Sequence, residues 1–153
     1  MTGRALIVGY GNPLRGDDGV GPTVARAFAG EAAIDGVEAI ACRLLTPELA
    51  ELFATAARVV LVDVAAGQQA GAVSVVSLQA GPARSSGLGH HLDPSELLRL
   101  TQSLYGRSPE AYLVTVGAAS LALGEELSAP VAAALPEVIA TARRLALQGA
   151  SSA

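Results

Sequence analysis

Short apolar runs alternate along this chain with stretches in which apolar residues recur every three or four positions. Leu6–Gly9 is the first run, too short for a helix and bounded by glycine, which suits a buried parallel strand. Val20, Val24, Ala27 and Phe28 then repeat at helical spacing between Gly19 and Gly30. A second strand is predicted over Val37–Leu44, and Thr46-Pro47-Glu48 predicts an N-cap with proline at the first helical position, opening a helix to Ala57. Val59–Val64 is the clearest buried strand, and Ala72–Leu78 is another, after a Gly/Gln turn at Gly67–Gly71. Gln79–Gly89 is rich in Gly, Pro and Ser and reads as a mobile loop. Asp93-Pro94-Ser95-Glu96 has the spacing of a capping box and predicts a helix to Tyr105 with Leu97, Leu98 and Leu100 facing inward. Ala111–Val116 is the last strand, and Ser128 with Pro130 opens a long helix to Gln148.

Strand and helix in alternation predict an α/β protein, a three-layer α/β/α sandwich around a mostly parallel sheet of about five strands. With 153 residues, 51% of them hydrophobic, the chain suffices for one well-buried core. Residues 1–148 are therefore expected to form one domain and 149–153 a disordered tail. The net charge is −4, and every basic residue is arginine with no basic run, which argues against a nucleic-acid surface. Strand residues begin by Ala5 and no apolar stretch reaches membrane-spanning length, so a cytoplasmic protein without membrane insertion is expected. Cys42, the single cysteine, has no internal disulfide partner and sits in a strand-like setting, where it reads as a small core residue.

The chemistry concentrates after the first strand, where Gly9, Gly11 and Gly16 precede the adjacent carboxylates Asp17 and Asp18. Gly9-Tyr10-Gly11 begins like a dinucleotide fingerprint, but Leu14 occupies the third glycine position and Pro13 removes an N–H donor. A Walker-type phosphate loop is excluded because the chain has no lysine. Asp63 closes the clearest buried strand, and His90-His91, the only histidines, precede the helix opening at Asp93. Were the first and third strands neighbours, two carboxylates would meet at their carboxyl ends, and the Gly/Ser loop could bring in an imidazole. Such a mixed oxygen and nitrogen set suits nickel or zinc better than magnesium. Structural roles compete with this reading: Asp18 can stabilise a helix amino terminus, and a histidine beside a helix start is commonly an exposed loop residue.

The run Gly9-Tyr10-Gly11-Asn12-Pro13-Leu14-Arg15-Gly16-Asp17-Asp18-Gly19-Val20-Gly21 fits every fixed position of the pattern G-x-G-N-x-L-x-x-D-[DE]-G-x-G. With an apolar strand ending at Asp63, and His90-His91-Leu92 ahead of a leucine-rich helix, the chain resembles the hydrogenase maturation endopeptidases over residues 5–145. These enzymes trim the carboxy-terminal extension of the [NiFe]-hydrogenase large subunit after nickel insertion. The turn after Asp63 reads Ala-Ala-Gly-Gln-Gln-Ala-Gly in place of the family's Pro-Gly ending.

The resemblance implies that Asp18, Asp63 and His90 are the metal-recognising and catalytic residues, with His90 preferred to His91 by the His-x-Leu spacing. It implies nickel supplied by the precursor, with cadmium or zinc able to substitute in crystals, and the large-subunit precursor as partner. A monomer is the expected oligomeric state. No G-x-S-x-G elbow and no H-E-x-x-H helix is present, so the common protease devices are missing. Nickel could polarise the scissile carbonyl or activate water, or Asp17, Asp18 or Asp63 could act as general base. Two other readings are a non-catalytic checkpoint or binding module that senses nickel occupancy, and a generic α/β nucleotide or nucleoside enzyme.

Overall fold

The computed structural model describes residues 3–82 and 92–148. Its elements are β1 (Ala5–Tyr10), a 3-10 turn (Gly16–Gly19), α1 (Val20–Ala29), β2 (Val37–Cys42), α2 (Leu49–Thr55), β3 (Arg58–Ala65), β4 (Val73–Leu78), α3 (Pro94–Tyr105), β5 (Glu110–Gly117) and α4 (Ala129–Gln148). The strands form one sheet in the order β2-β1-β3-β5-β4. All neighbours are parallel except β4 against β5. The expected mostly parallel sheet of about five strands between helices is therefore present, with β4 as an antiparallel edge.

Alternation along the strands divides the core into two layers. Ala5, Ile7, Val60, Val62, Val114 and Val116 pack with Val20, Val24 and Phe28 of α1 and with Val131, Val138 and Leu145 of α4. Leu6, Val8, Val59, Leu61 and Leu113 pack on the other face, with Phe53 of α2 and Leu97 and Leu98 of α3. The leucines expected to face inward on α3 do so, Leu100 being only partly buried.

The chain leaves β1 toward β2 on one side and returns to β3 on the other, so strand order reverses between β1 and β3. Open α/β sheets place their ligand crevice at the carboxyl ends of such a pair. A close helix–strand approach sets its depth: a Cβ on Gly9 would lie 1.8 Å from the carbonyl oxygen of Gly21, in the first turn of α1. Only glycine at both positions lets α1 sit this near to β1.

Two local expectations are corrected. The helix expected from Thr46-Pro47 starts at Leu49, with Glu48 at the N-cap and no side-chain cap bond. Leu49 and Ala50 instead donate to the carbonyls of Thr46 and Pro47, three residues back, making a tight turn before the helix. Cys42 is half-buried at the end of β2 rather than enclosed in the core. The capping box of α3 forms as expected: Ser95 N donates to Asp93 Oδ1 at 2.9 Å, and Asp93 N to Glu96 Oε1 at 3.0 Å. His90, His91, most of the Gln79–Gly89 loop and the tail 149–153 lie outside the described residues.

Candidate functional site

Strand period and register bring Tyr10 and Asp63 together. Leu6 and Val8 of β1 face the α2/α3 layer, as do Val59 and Leu61 of β3. Two residues further along each strand, Tyr10 and Asp63 fall on the same face. The β1–β3 ladder ends at Gly9 opposite Val62, so Asp63 lies one residue past that pairing, where the sheet opens. The Tyr10 hydroxyl hydrogen-bonds the Asp63 carboxylate. A second bond comes from Val64 N, 2.7 Å from Asp63 Oδ1.

Burial pushes the Asp63 carboxyl up to about 7, and the negative charge of Asp18 adds to the rise, against the lowering effect of the bonds from Val64 and Tyr10. Tyr10 is raised far above the usual phenol range, first by burial and then by Asp63, with smaller contributions from Asp93 and Cys42. Its hydroxyl therefore keeps its proton and acts toward Asp63 as a donor. Asp93, at the start of α3, is thus close to the same edge of the sheet.

Asp18 reaches this edge from the loop above β1. Its Oδ2 accepts from Asn12 N at 2.8 Å, while Asn12 Oδ1 accepts from Leu14 N at 2.9 Å, closing the loop on itself. Gly11 permits the closure, with φ +147° and with the Asp18 carbonyl oxygen 2.0 Å from where a Cβ would stand. Each carboxylate oxygen offers about two acceptor positions, so the single backbone bond to Asp18 and the two bonds to Asp63, from Val64 N and the Tyr10 hydroxyl, leave both with capacity for a cation. Among the described residues no group of three or more His, Cys, Asp or Glu side chains is placed to hold a metal ion. Asp18 and Asp63 make a pair, and His90 lies outside the described residues.

Asp17 does something different from its neighbour. It is fully buried and accepts four hydrogen bonds, from Ala119 N (2.8 Å), Ser120 N (3.0 Å), Ser128 N (2.7 Å) and Ser128 Oγ (2.8 Å). Burial alone would push its carboxyl up, but these donors outweigh it and hold Asp17 below the usual carboxylate range. With its acceptors occupied and no contact with solvent, Asp17 is removed from the candidate general bases. It is a staple joining the loop after β1 to the loop before α4. Asp17 and Asp18 look alike by residue type and spacing; the family resemblance singles out Asp18, and nothing in the sequence marks Asp17 as a staple. Tyr10, absent from the sequence-based candidates, was reachable from strand period: it follows Leu6 and Val8 by twos.

No protein-family model matches the sequence, and no curated protein sequence matches it. Solved structures do. The hydrogenase maturating endopeptidase HybD of Escherichia coli superimposes with a TM-score of 0.75 over 90% of this chain and 88% of its own, at 20% identity. The [NiFe] hydrogenase maturation protease HybD of Thermococcus kodakarensis gives 0.72 at 25% identity, covering 94% of this chain and 99% of its own. A hydrogenase 2 maturation peptidase from a Thaumarchaeota archaeon gives 0.69 at 27% identity over 90% and 94%. These matches extend over nearly the full length of both chains, and the complete motif from Gly9 to Gly21 and the carboxylates at the β1/β3 crevice accompany them: the chain is similar in fold and sequence pattern to the hydrogenase maturation proteases.

Proposed function

We infer that this protein is an endopeptidase that removes the carboxy-terminal extension of a [NiFe]-hydrogenase large-subunit precursor once nickel has been installed. The observation that carries this reading is the placement of Asp18 and Asp63 on either side of the β1/β3 crevice, close enough for the charge of one to act on the other. Two carboxylates so placed repel each other and are relieved by a cation. The nickel of the precursor is the cation this reading assigns to them, and it arrives as part of the substrate.

His90 is assigned as the third ligand. It stands three residues before Asp93, whose charge acts on Tyr10 at the same edge, and three residues reach at most about 11 Å. Bound nickel would polarise the scissile carbonyl or activate the attacking water. Tyr10 orients Asp63 through its hydroxyl, and Asn12 orients Asp18 through its backbone N–H. No helix among the described residues is long and apolar enough to cross a membrane.

Asp18→Asn, Asp63→Asn and His90→Ala test the assignment. Each keeps the fold, and the two amide variants keep the shape of the side chain while removing its charge. Each is expected to abolish precursor processing with thermal melting retained, whereas His91→Ala stays active. Full processing by Asp18→Asn or Asp63→Asn would remove the carboxylate pair from the account. An active His90→Ala beside an inactive His91→Ala would move the third ligand by one residue.

A further inference from the structure

The loop before α4 is fastened to the motif loop in a way that leaves leucines in water. Gly16 N donates to Gly124 O at 2.8 Å, Gly124 N to Leu14 O at 2.9 Å, and Asp17 N to Ser120 O at 3.0 Å. With the four bonds to the Asp17 side chain, these fix both loops as one unit. That unit carries Leu14 at 51%, Leu121 at 36% and Leu123 at 81% exposure. Leu14 is a fixed position of the family pattern, yet it contributes nothing to either core layer. Holding leucines rigidly against solvent is unfavourable unless something else covers them.

Beside them is a cavity of about 320 Å³, lined by Gly16, Ser120, Leu123 and Ser128 and by the side of Glu125 and Glu126. Both glutamates are exposed, and among the described residues neither takes part in a salt bridge. An apolar shelf with an unpaired double negative charge is complementary to an apolar side chain followed by a basic one. The surface is continuous with the candidate site, since Leu14 and Asp18 belong to the same loop, joined through Asn12.

We propose that Leu14, Leu121 and Leu123, with Glu125 and Glu126 at their rim, form the preformed docking surface for the stretch of precursor polypeptide beside the scissile bond, seating an apolar side chain on the leucines and a basic one against the glutamates. The inference rests on the proposed function for the identity of that polypeptide. Its loops are ordered before the partner arrives, so docking costs little conformational entropy. The surface holds the substrate backbone in register with the carboxylate pair, and its contribution is to binding rather than to the chemical step.

The test uses nickel-loaded large-subunit precursor, measuring its Kd by calorimetry and its KM and kcat by product mass, for the wild type, Leu123→Asp, the pair Glu125→Gln/Glu126→Gln, and Leu104→Asp as an exposed control on α3. Leu123→Asp is expected to raise Kd and KM at least about tenfold, the factor implied by losing a buried leucine contact. Its kcat stays within about twofold, as expected for a contact made equally before and during reaction. The glutamine pair raises KM and flattens its dependence on salt, while Leu104→Asp changes nothing. Unchanged Kd and KM for Leu123→Asp, or a fall in kcat alone, overturns the docking surface. A wild type that binds but does not cleave overturns the protease reading, and Kd still decides the surface. A wild type that neither binds nor cleaves overturns both.

Discussion

Asp17→Asn changes one oxygen to nitrogen in a fully buried side chain, and the structure says what that costs. Asp17 Oδ2 accepts three of the four hydrogen bonds and Oδ1 the fourth, from Ser128 N. The amide can keep its oxygen where three donors converge, but its NH2 group then faces the Ser128 N–H, donor against donor. One charge-assisted bond of about 1.5–3 kcal/mol is lost, and three others fall from charge-assisted to neutral strength, about 0.5–1.5 kcal/mol each. Relief of the buried charge offsets part of this. The net loss is expected to be about 3 kcal/mol, a large share of a domain stability of about 5–15 kcal/mol. Urea unfolding at pH 7 followed by far-ultraviolet circular dichroism measures it, the chain having no tryptophan. The midpoint should fall at constant m-value. Ser128→Ala, which removes only the hydroxyl, should cost about 1 kcal/mol. The Asp17 carboxyl is held below its unfolded value of 3.8, so its stabilisation is present above pH 3.8 and lost as the pH falls through the folded value. The gap between wild type and Asp17→Asn should therefore narrow in acid. A variant within about 1 kcal/mol of wild type at pH 7, smaller than one charge-assisted bond, would refute the staple.

Asp63 gives the opposite slope. Its carboxyl is raised from 3.8 to about 7, so the folded state holds a proton that the unfolded state has released; its contribution is greatest below pH 3.8 and is lost as the pH rises to about 7. Without metal, Asp63→Asn should remove that decline, gaining stability over wild type at pH 8 and none at pH 3.5; parallel denaturation curves for the two proteins at both values would contradict the burial of the charge. Gly21→Ala should cost about 1–3 kcal/mol or prevent folding, since its Cβ would stand 2.5 Å from Val62 O and 2.6 Å from Tyr10 O, both backbone atoms. A melting temperature equal to wild type would mean that α1 is free to move off the sheet. Asp93→Ala should lose about 1 kcal/mol by thermal melting through loss of the capping box on α3.

Much of the fold was legible because its signals are local. Val59–Leu61 and Ala111–Val114 announce buried strands by apolar continuity, and Asp93 with Glu96 announces a helix start by side-chain bonds within four residues. Thr46-Pro47 offered an equally good start but was overruled: β2 ends at Cys42, and the chain must first turn, through bonds three residues apart, before α2 lies over the sheet. The candidate site was legible as one carboxylate in the loop after β1 and one near the carboxyl end of β3, because parallel pairing brings strand ends together. The stapling role of Asp17 was not, since it depends on donors more than a hundred residues away at Ala119, Ser120 and Ser128. Likewise, nothing in the sequence around Leu14 shows that the folded loop leaves it exposed.

The central claim is that cleavage is conditional on nickel in the substrate. The most direct measurement incubates the purified protein with nickel-loaded and with nickel-free large-subunit precursor and weighs the products by mass spectrometry. The account predicts loss of a carboxy-terminal peptide from the loaded precursor alone, abolished by Asp18→Asn and by Asp63→Asn. Equal cleavage of both precursors, or cleavage of neither, would contradict it.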